Sequence, residues 1–141
     1  MYTTTAPDPI YVVAEEIRDH RRYLASGRKF LDKNRTDVQV IGKFQGLAGA
    51  TVEAVLQIVF SERTKRFTPF DAENVVKFAA VVRCAGHGCP DAEHKVPATG
   101  EFLLDADADE TAPAARPVIA AAQKKAQEHA ETCRALPYSS C

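Results

Sequence analysis

The spacing of apolar residues in the first part of the chain predicts two helices. Between residues 9 and 25 apolar residues recur at helical spacing and charged residues fill the rest of the turn, which is typical of an amphipathic helix. Asp8 and Pro9 suit its N-cap and first turn. A second apolar stripe, Ile41 to Phe60, follows the turn DKNRTD and predicts a helix that starts at Thr36 or Asp37. The two helices would form an antiparallel hairpin.

Three glycines leave the second predicted helix with two interpretations. Gly42, Gly46 and Gly49 lie within it, and each costs about 1 kcal/mol in a helix interior relative to alanine. They either allow another helix backbone to approach closely or mark a break near Gly46–Gly49. The sequence leaves both alternatives open.

The second half of the chain carries weaker and more mixed patterns. FTPFD (67–71) predicts the start of a short helix, KFAAVVRC (77–84) a strand, and HKVPATGEFLL (94–104) a returning strand interrupted by Pro97 and Gly100. The acidic, alanine- and proline-rich segment 105–117 predicts a loop, and residues 117–136 a final helix. We therefore expect a mainly helical α+β protein, in which residues 1–66 form a helical hairpin with a flexible arm and residues 67–141 a ββα unit.

Charge and composition narrow the classes of partner. The chain has 141 residues and a formal net charge of −1, which argues against strong overall attraction to nucleic acid or to anionic lipid. Basic residues nevertheless concentrate near the N-terminus and define an alternative, nucleic-acid-binding surface: Arg18, Arg21, Arg22, Arg28, Lys29 and Arg35. The abundance of alanine, arginine and aspartate is typical of high-GC actinobacteria or their phages.

Neither a signal peptide nor a membrane-spanning segment is expected. The N-terminus lacks a basic region followed by an apolar one, and the most apolar window, Leu47–Phe60, is too short and contains Glu53. We expect a cytoplasmic protein that does not associate with membranes. A reducing compartment favours metal-bound or free thiols over structural disulfides.

Two short motifs supply the ligand set of a zinc site. Three of the four cysteines lie in CAGHGCP (84–90) and HAETC (129–133), and the histidine and cysteine of HAETC would share one helix face. Cys84, Cys89, His129 and Cys133 are therefore candidate ligands of a structural, four-coordinate Zn²⁺.

Other interpretations of these residues remain open. The thiols could pack together without a metal, or form a redox pair, although the Cys-x2-Cys spacing typical of redox pairs is missing. His87 could replace a cysteine as ligand. His94 is expected to be exposed, and the terminal Cys141 to be a free thiol.

Residues 78–136 resemble a ββα zinc finger of the Cys-Cys-His-Cys type, with Cys84 and Cys89 on the hairpin and His129 and Cys133 on the helix. The resemblance implies structural zinc. The 39 residues between Cys89 and His129 exceed the usual dozen, and the helix start PVIAAAQ offers no side chains suited to reading DNA bases. HAETC also resembles the helical motif of zinc-binding anti-sigma factors, but Leu136 stands where their second cysteine would be.

The sequence favours a binding protein over an enzyme. It shows neither a phosphate-binding glycine loop, nor a nucleophile with its base, nor His-Glu-x-x-His. We expect a small, zinc-stabilised, non-enzymatic adaptor or inhibitor that binds a protein partner, or forms a homodimer, through its N-terminal helices. The alternative is a nucleic-acid-binding accessory protein.

Overall fold

The computed structural model describes residues 8–27, 33–65, 68–89 and 92–137. The helices are α1 (Pro9–Leu24), α2 (Ala108–Thr111) and α3 (Arg116–Thr132), and a 3₁₀ turn (Ala112–Ala115) joins the last two. The strands are β1 (Arg35–Gln45), β2 (Thr51–Lys65), β3 (Thr68–Cys84), β4 (Gly86–His87), β5 (Glu93–Val96), β6 (Phe102–Leu103) and β7 (Leu136–Pro137).

An antiparallel sheet of five strands forms the centre of the molecule. Its order is β1-β2-β3, and both β5 and β6 pair with the far edge of β3. The β2–β3 ladder runs without a register shift from the pair Val52–Cys84 to the pair Thr64–Ala72. A separate two-stranded ladder joins β4 to β7.

The expected mainly helical fold with an N-terminal helical hairpin is wrong, because residues 35–65 form β1 and β2. The even-numbered apolar residues of β2, from Val52 to Phe60, are buried in the core. Val55 on the opposite face is also buried. A strand with apolar residues on both faces matches a helical period by coincidence, whereas the many β-branched residues of this segment favour a strand.

The three glycines belong to the β1–β2 hairpin. The strand register shifts between Val40 and Gly42, which is a common place for glycine. Gly46 donates its N–H to the Ala50 carbonyl at 2.7 Å, and Gly49 has a φ of +94°, a conformation that strongly favours glycine. Both alternatives assumed a helix, which this segment does not form; the glycines lie at a register shift in β1 and in the turn between two strands.

The second half of the chain differs from expectation in two segments. The expected helix start at 67–71 overlaps the first residues of β3. The expected loop at 105–117 contains α2, which Asp107 caps by accepting the N–H of Asp109, and the 3₁₀ turn. The returning strand is confirmed as β5 and β6, which are separated at residues 97–101.

Helices α1 and α3 cover one face of the sheet. Helix α1 buries Val13, Ala14 and Ile17, and α3 lies against β1, β2 and β3. His20 on the same helix is 1% exposed, and its ring stacks on that of Phe60 with 4.2 Å between the ring centroids. The expected domain boundary at residue 66 lies between β2 and β3. These two strands pair with each other, so the residues before and after the boundary belong to one sheet.

Within the described residues, the helices are too short or too polar to cross a membrane. Of the expected flexible arm at residues 1–9, residues 1–7 lie outside the described part of the chain, whereas Asp8 and Pro9 form the N-cap and the first residue of α1.

The alanine side of α3 sets how closely this helix approaches the sheet. Ala122 and Ala126 are fully buried, so we expect Ala126→Leu to lower the free energy of unfolding by about 1–3 kcal/mol through overpacking. Ala120 is exposed on the same helix, and Ala120→Leu is the matched control with little expected change. Chemical denaturation measures both, and equal effects of the two substitutions would contradict this packing.

Candidate metal centre

Three separate segments bring the four predicted ligands together. Cys84 ends β3, where it pairs with Val52, and Cys89 follows a turn at Gly88, whose φ is +75°. His129 lies in the last turn of α3. Cys133 lies immediately after that helix, in extended conformation, and its N–H donates to the His129 carbonyl at 2.7 Å. Cys133 therefore reaches the cluster from the chain that leaves the helix, and not from the helix face that the sequence suggested.

The ligand atoms form one compact cluster. The Sγ atoms of Cys84 and Cys133 are 3.7 Å apart, and those of Cys133 and Cys89 are 3.9 Å apart. Cys89 Sγ lies 3.5 Å from His129 Nε2. All four ligand atoms lie within 4.8 Å of one another, so the predicted convergence of these residues is confirmed.

Three of the six separations between the ligand atoms match the edges of a zinc tetrahedron, and the other three are at most 4.8 Å. With Zn–S bonds of about 2.3 Å and Zn–N bonds of about 2.0–2.1 Å, two sulfurs are about 3.8 Å apart and a sulfur and a nitrogen about 3.6 Å apart. The three separations above differ from these values by about 0.1 Å. They are far longer than a disulfide bond of about 2.05 Å, and the three thiols are free.

Two backbone amides point at the sulfurs, each from the residue two positions further along. The Gly86 N–H donates to Cys84 Sγ at 3.3 Å, and the Ala135 N–H donates to Cys133. Pairing of β4 with β7 holds these two segments side by side. Such donors stabilise thiolate charge, which a metal-bound cysteine carries.

Burial differs among the three cysteines, and the pKa values of Cys84 and Cys133 shift in opposite directions. Cys84 and Cys133 are 8% and 7% exposed, whereas Cys89 is only partly buried. Burial raises the pKa of the Cys84 thiol to about 11. The amide of Ala135 lowers the pKa of Cys133. In the metal-free protein at neutral pH, Cys84 therefore keeps its proton, which a metal ion would displace.

The remaining histidines differ in their relation to the cluster. His87 is exposed and lies outside the group of four. His94, which we expected to be exposed, is partly buried, and its ring lies 5.4 Å from that of His129. Its Nε2 is buried and has no hydrogen-bond partner among the described residues. Alternate side chains of a strand share a face, so His94 lies on the same face as the buried Val96. This alternation was the signal that could have identified His94 as a neighbour of the cluster.

The four described basic residues of the alternative surface contact acidic or carbonyl groups. Arg18 pairs with Glu15 at 2.7 Å and with Asp109 at 2.6 Å. Arg22 pairs with Asp19, and Arg21 donates to the Ala106 carbonyl at 3.4 Å. Arg28 and Lys29 lie outside the described residues.

Arg35 joins β1 to α1. Its guanidinium lies 2.7 Å from Asp37 and 3.1 Å from Glu16. Burial acts to raise the pKa of Asp37, but hydrogen bonds from Arg35 and Glu16 lower it below its ordinary value. A hydrogen bond to Asp37 raises the pKa of Glu16. These groups form a structural ion-pair network, in which the charge of Arg35 is already compensated.

Comparison of the chain with protein-family models, with curated proteins and with solved structures gives no match, so no family match supports the zinc-finger resemblance.

Gly86 provides a test of the close packing around the cluster. A Cβ at this position would collide with the Cβ of Ala135 and lie 3.2 Å from Cys84 Sγ. We expect Gly86→Ala to lower the free energy of unfolding by about 1–3 kcal/mol and to weaken metal binding. Gly100→Ala is the control, because nothing lies within 4 Å of a Cβ there. Thermal melting and metal titration of both variants measure the effect, and an unchanged Gly86→Ala protein would refute it.

Proposed function

We propose that this chain is a non-enzymatic binding protein whose fold is completed by one Zn²⁺ held by Cys84, Cys89, His129 and Cys133. The observation that carries the proposal is the match between the S–S and S–N separations, 3.7, 3.9 and 3.5 Å, and the edges of a tetrahedral zinc site. Three thiolates and one neutral imidazole suit Zn²⁺ better than Mg²⁺ or Ca²⁺, which prefer oxygen ligands.

A closed ligand set favours a structural role for the metal. Four protein ligands fill a tetrahedral shell and leave no position for a catalytic water. A cavity of about 640 Å³ lies elsewhere, between the end of α1 and β3, and polar residues such as Arg21, Glu73 and Asn74 line it. The described residues that line this cavity include neither cysteine, serine, threonine nor histidine, so they offer neither a nucleophile of these types nor an imidazole base.

The metal would join α3 to the sheet at the end of the helix where its buried side chains are small. The buried residues of α3 near the cluster are Ala126 and Ala130, and a methyl side chain contributes less apolar burial than a larger one. Cys84 and Cys89 belong to the sheet side of the cluster, and His129 and Cys133 to the helix side. One ion therefore replaces part of the hydrophobic contact that larger side chains would supply.

Metal content tests the zinc proposal. Native mass spectrometry should show one zinc per chain in the wild type, and Cys133→Ser should lose it because one of the four ligands is missing. Cys141→Ser is the matched control and should retain the metal. Chelation should lower the melting temperature of the wild type and leave that of Cys133→Ser nearly unchanged. A wild-type protein that purifies and refolds without metal, at unchanged melting temperature, would exclude a structural metal ion at this site.

The binding surface that we propose is the face of the sheet opposite the helices. Helix α1 buries its apolar side in the core, so we no longer place the interface on N-terminal helices. On this opposite face, Val38 and Val40 of β1 are 62% and 46% exposed and Leu103 is 43% exposed, whereas the central residues Val55 and Val81 are each 3% exposed. Adjacent exposed apolar residues on a sheet face are typical of an interaction surface. No described strand pairs with the outer edge of β1, which adds free backbone groups beside the two valines.

Charge on this face favours a second copy of the chain as the occupant. Strand register places Lys43, Glu53, Arg83 and Glu93 in one row across the sheet, so that opposite charges alternate and sum to zero. An isologous contact brings the same patch against itself, and a patch with a large net charge would repel its copy. Because the four charges of this row sum to zero, the row beside Val38 and Val40 does not repel a second copy of itself.

Light scattering tests the proposed dimer. We expect the wild type to have twice the mass of the chain at micromolar concentration and Val38→Lys to have the mass of a monomer, because a buried unpaired charge opposes association. Leu47→Lys is the control, since Leu47 is 65% exposed but lies in the β1–β2 turn. A monomeric wild type would exclude the dimer, and a dimeric Val38→Lys protein would place the interface elsewhere.

The contacts of the described basic residues do not favour the alternative of nucleic-acid binding. Arg18, Arg22 and Arg35 already pair with carboxylates, and such pairing reduces the positive potential that attracts phosphates. We therefore propose protein binding alone.

A further inference from the structure

We infer that Cys89 is the oxidant-reactive site of the metal centre, and that its oxidation by a hydroperoxide forms a Cys89–Cys133 disulfide and releases the zinc. This inference rests on the zinc binding proposed above and adds a mode of regulation to it. Three observations carry it: the unequal burial of the sulfurs, a cavity that opens on one side of the cluster, and the position of each cysteine in its backbone segment.

Access separates Cys89 from the other two thiols. Cys84 and Cys133 are less than a tenth exposed, whereas Cys89 is only partly buried. A cavity of about 410 Å³ reaches the cluster, and Cys89, His129 and Cys133 line it together with His87 and Arg134. Cys84 is absent from its lining. A small oxidant in this cavity therefore meets Cys89 first and Cys133 next.

Electrostatics make the thiolates of such a centre nucleophilic. Three thiolates, one neutral imidazole and Zn²⁺ carry a net charge of −1, so negative charge remains on the sulfurs. The thiolate is the form of cysteine that reacts with peroxide. Arg134 and His87 line the cavity, and no described carboxylate lines it.

The chemistry balances with hydrogen peroxide as the oxidant. The Cys89 thiolate attacks one peroxide oxygen, the O–O bond breaks, and the leaving hydroxide takes a proton to become water. The Cys133 thiolate then attacks the sulfur of the Cys89 sulfenic acid, forms the S–S bond and expels a second hydroxide, which is also protonated. Two thiolates lose two electrons and the peroxide gains them. Zn²⁺ leaves with two of its four ligands lost and with its oxidation state unchanged.

Backbone position selects Cys133 over Cys84 as the second thiol. The Sγ of Cys133 lies 3.9 Å from that of Cys89, within reach of a modest movement to disulfide distance. Cys84 is held in the last pair of the β2–β3 ladder, opposite Val52, whereas Cys89 and Cys133 follow a turn and a helix end. The Cys84–Cys133 pair is slightly shorter, at 3.7 Å, but both of its sulfurs are buried, and the first oxidation needs an accessible sulfur.

The experiment uses the zinc-loaded full chain with Cys141→Ser, which removes the terminal thiol. After treatment with less than one equivalent of hydrogen peroxide, free thiols are blocked with N-ethylmaleimide and the disulfide is identified by peptide mass spectrometry. A chromogenic chelator measures released zinc in parallel. We expect Cys89–Cys133 as the first disulfide, with one zinc released per disulfide, and alkylation by iodoacetamide about tenfold faster at Cys89 than at Cys84.

A second variant separates reactivity from metal loss. Cys89→His keeps four ligands in a Cys₂His₂ set, so it should hold zinc and release it to peroxide about tenfold more slowly than the wild type. A first disulfide between Cys84 and Cys133, or equal alkylation of Cys89 and Cys84 in zinc-loaded protein, would overturn the inference while leaving the zinc proposal intact. Absence of zinc from the untreated protein would instead overturn the zinc proposal, and the inference with it. If Cys89→His loses its metal, the peptide map of the parent protein still decides the order of reaction.

Discussion

The long antiparallel pairing of β2 with β3 is the interaction on which the rest of the structure depends. It runs from Val52–Cys84 to Thr64–Ala72, and it carries the central apolar residues of the face that the helices cover, including Leu56, Ile58 and Phe78. Strands β1, β5 and β6 add to its two edges. Because an antiparallel sheet of this kind needs a cover on at least one face, the positions of α1 and α3 follow from it.

The candidate metal centre lies where this ladder ends. Cys84 is the last residue of β3, and the short ladder between β4 and β7 brings the chain that follows α3 back beside it. A metal bound here would therefore join the helix layer to the sheet layer at the end where the alanine-rich helix α3 meets the sheet. Two amides, from Gly86 and Ala135, support its two buried sulfurs, and the third sulfur faces a cavity. Stability and sensitivity to oxidants would thus arise from different ligands of one site.

The two faces of the sheet have different roles in the proposed function. The covered face holds the core and, at one end, the candidate metal centre. The other face exposes Val38 and Val40 beside a balanced row of charges. Val55 and Val81 are buried on this same face, so β2 and β3 carry apolar residues at both odd and even positions. For the same reason the apolar pattern of β2 matches the spacing of a helix.

What the sequence by itself determined is the chemistry and the local elements whose signals do not depend on distant residues. Helices α1, with Asp8 at its N-cap, and α3 follow from local spacing. The ligand types and spacings of Cys84, Cys89, His129 and Cys133 predict that these four residues form one cluster. Only the tertiary structure decided that residues 35–65 are strands. A segment with apolar residues on both faces lacks the alternating pattern of a half-buried strand, so whether it forms a strand or a helix depends on the strands beside it. The same holds for His94, which lies near His129 because β5 pairs with β3, and for Cys133, which reaches the cluster after its helix has ended. Those contacts join residues far apart in the chain, and neither local propensity nor spacing contains information about them.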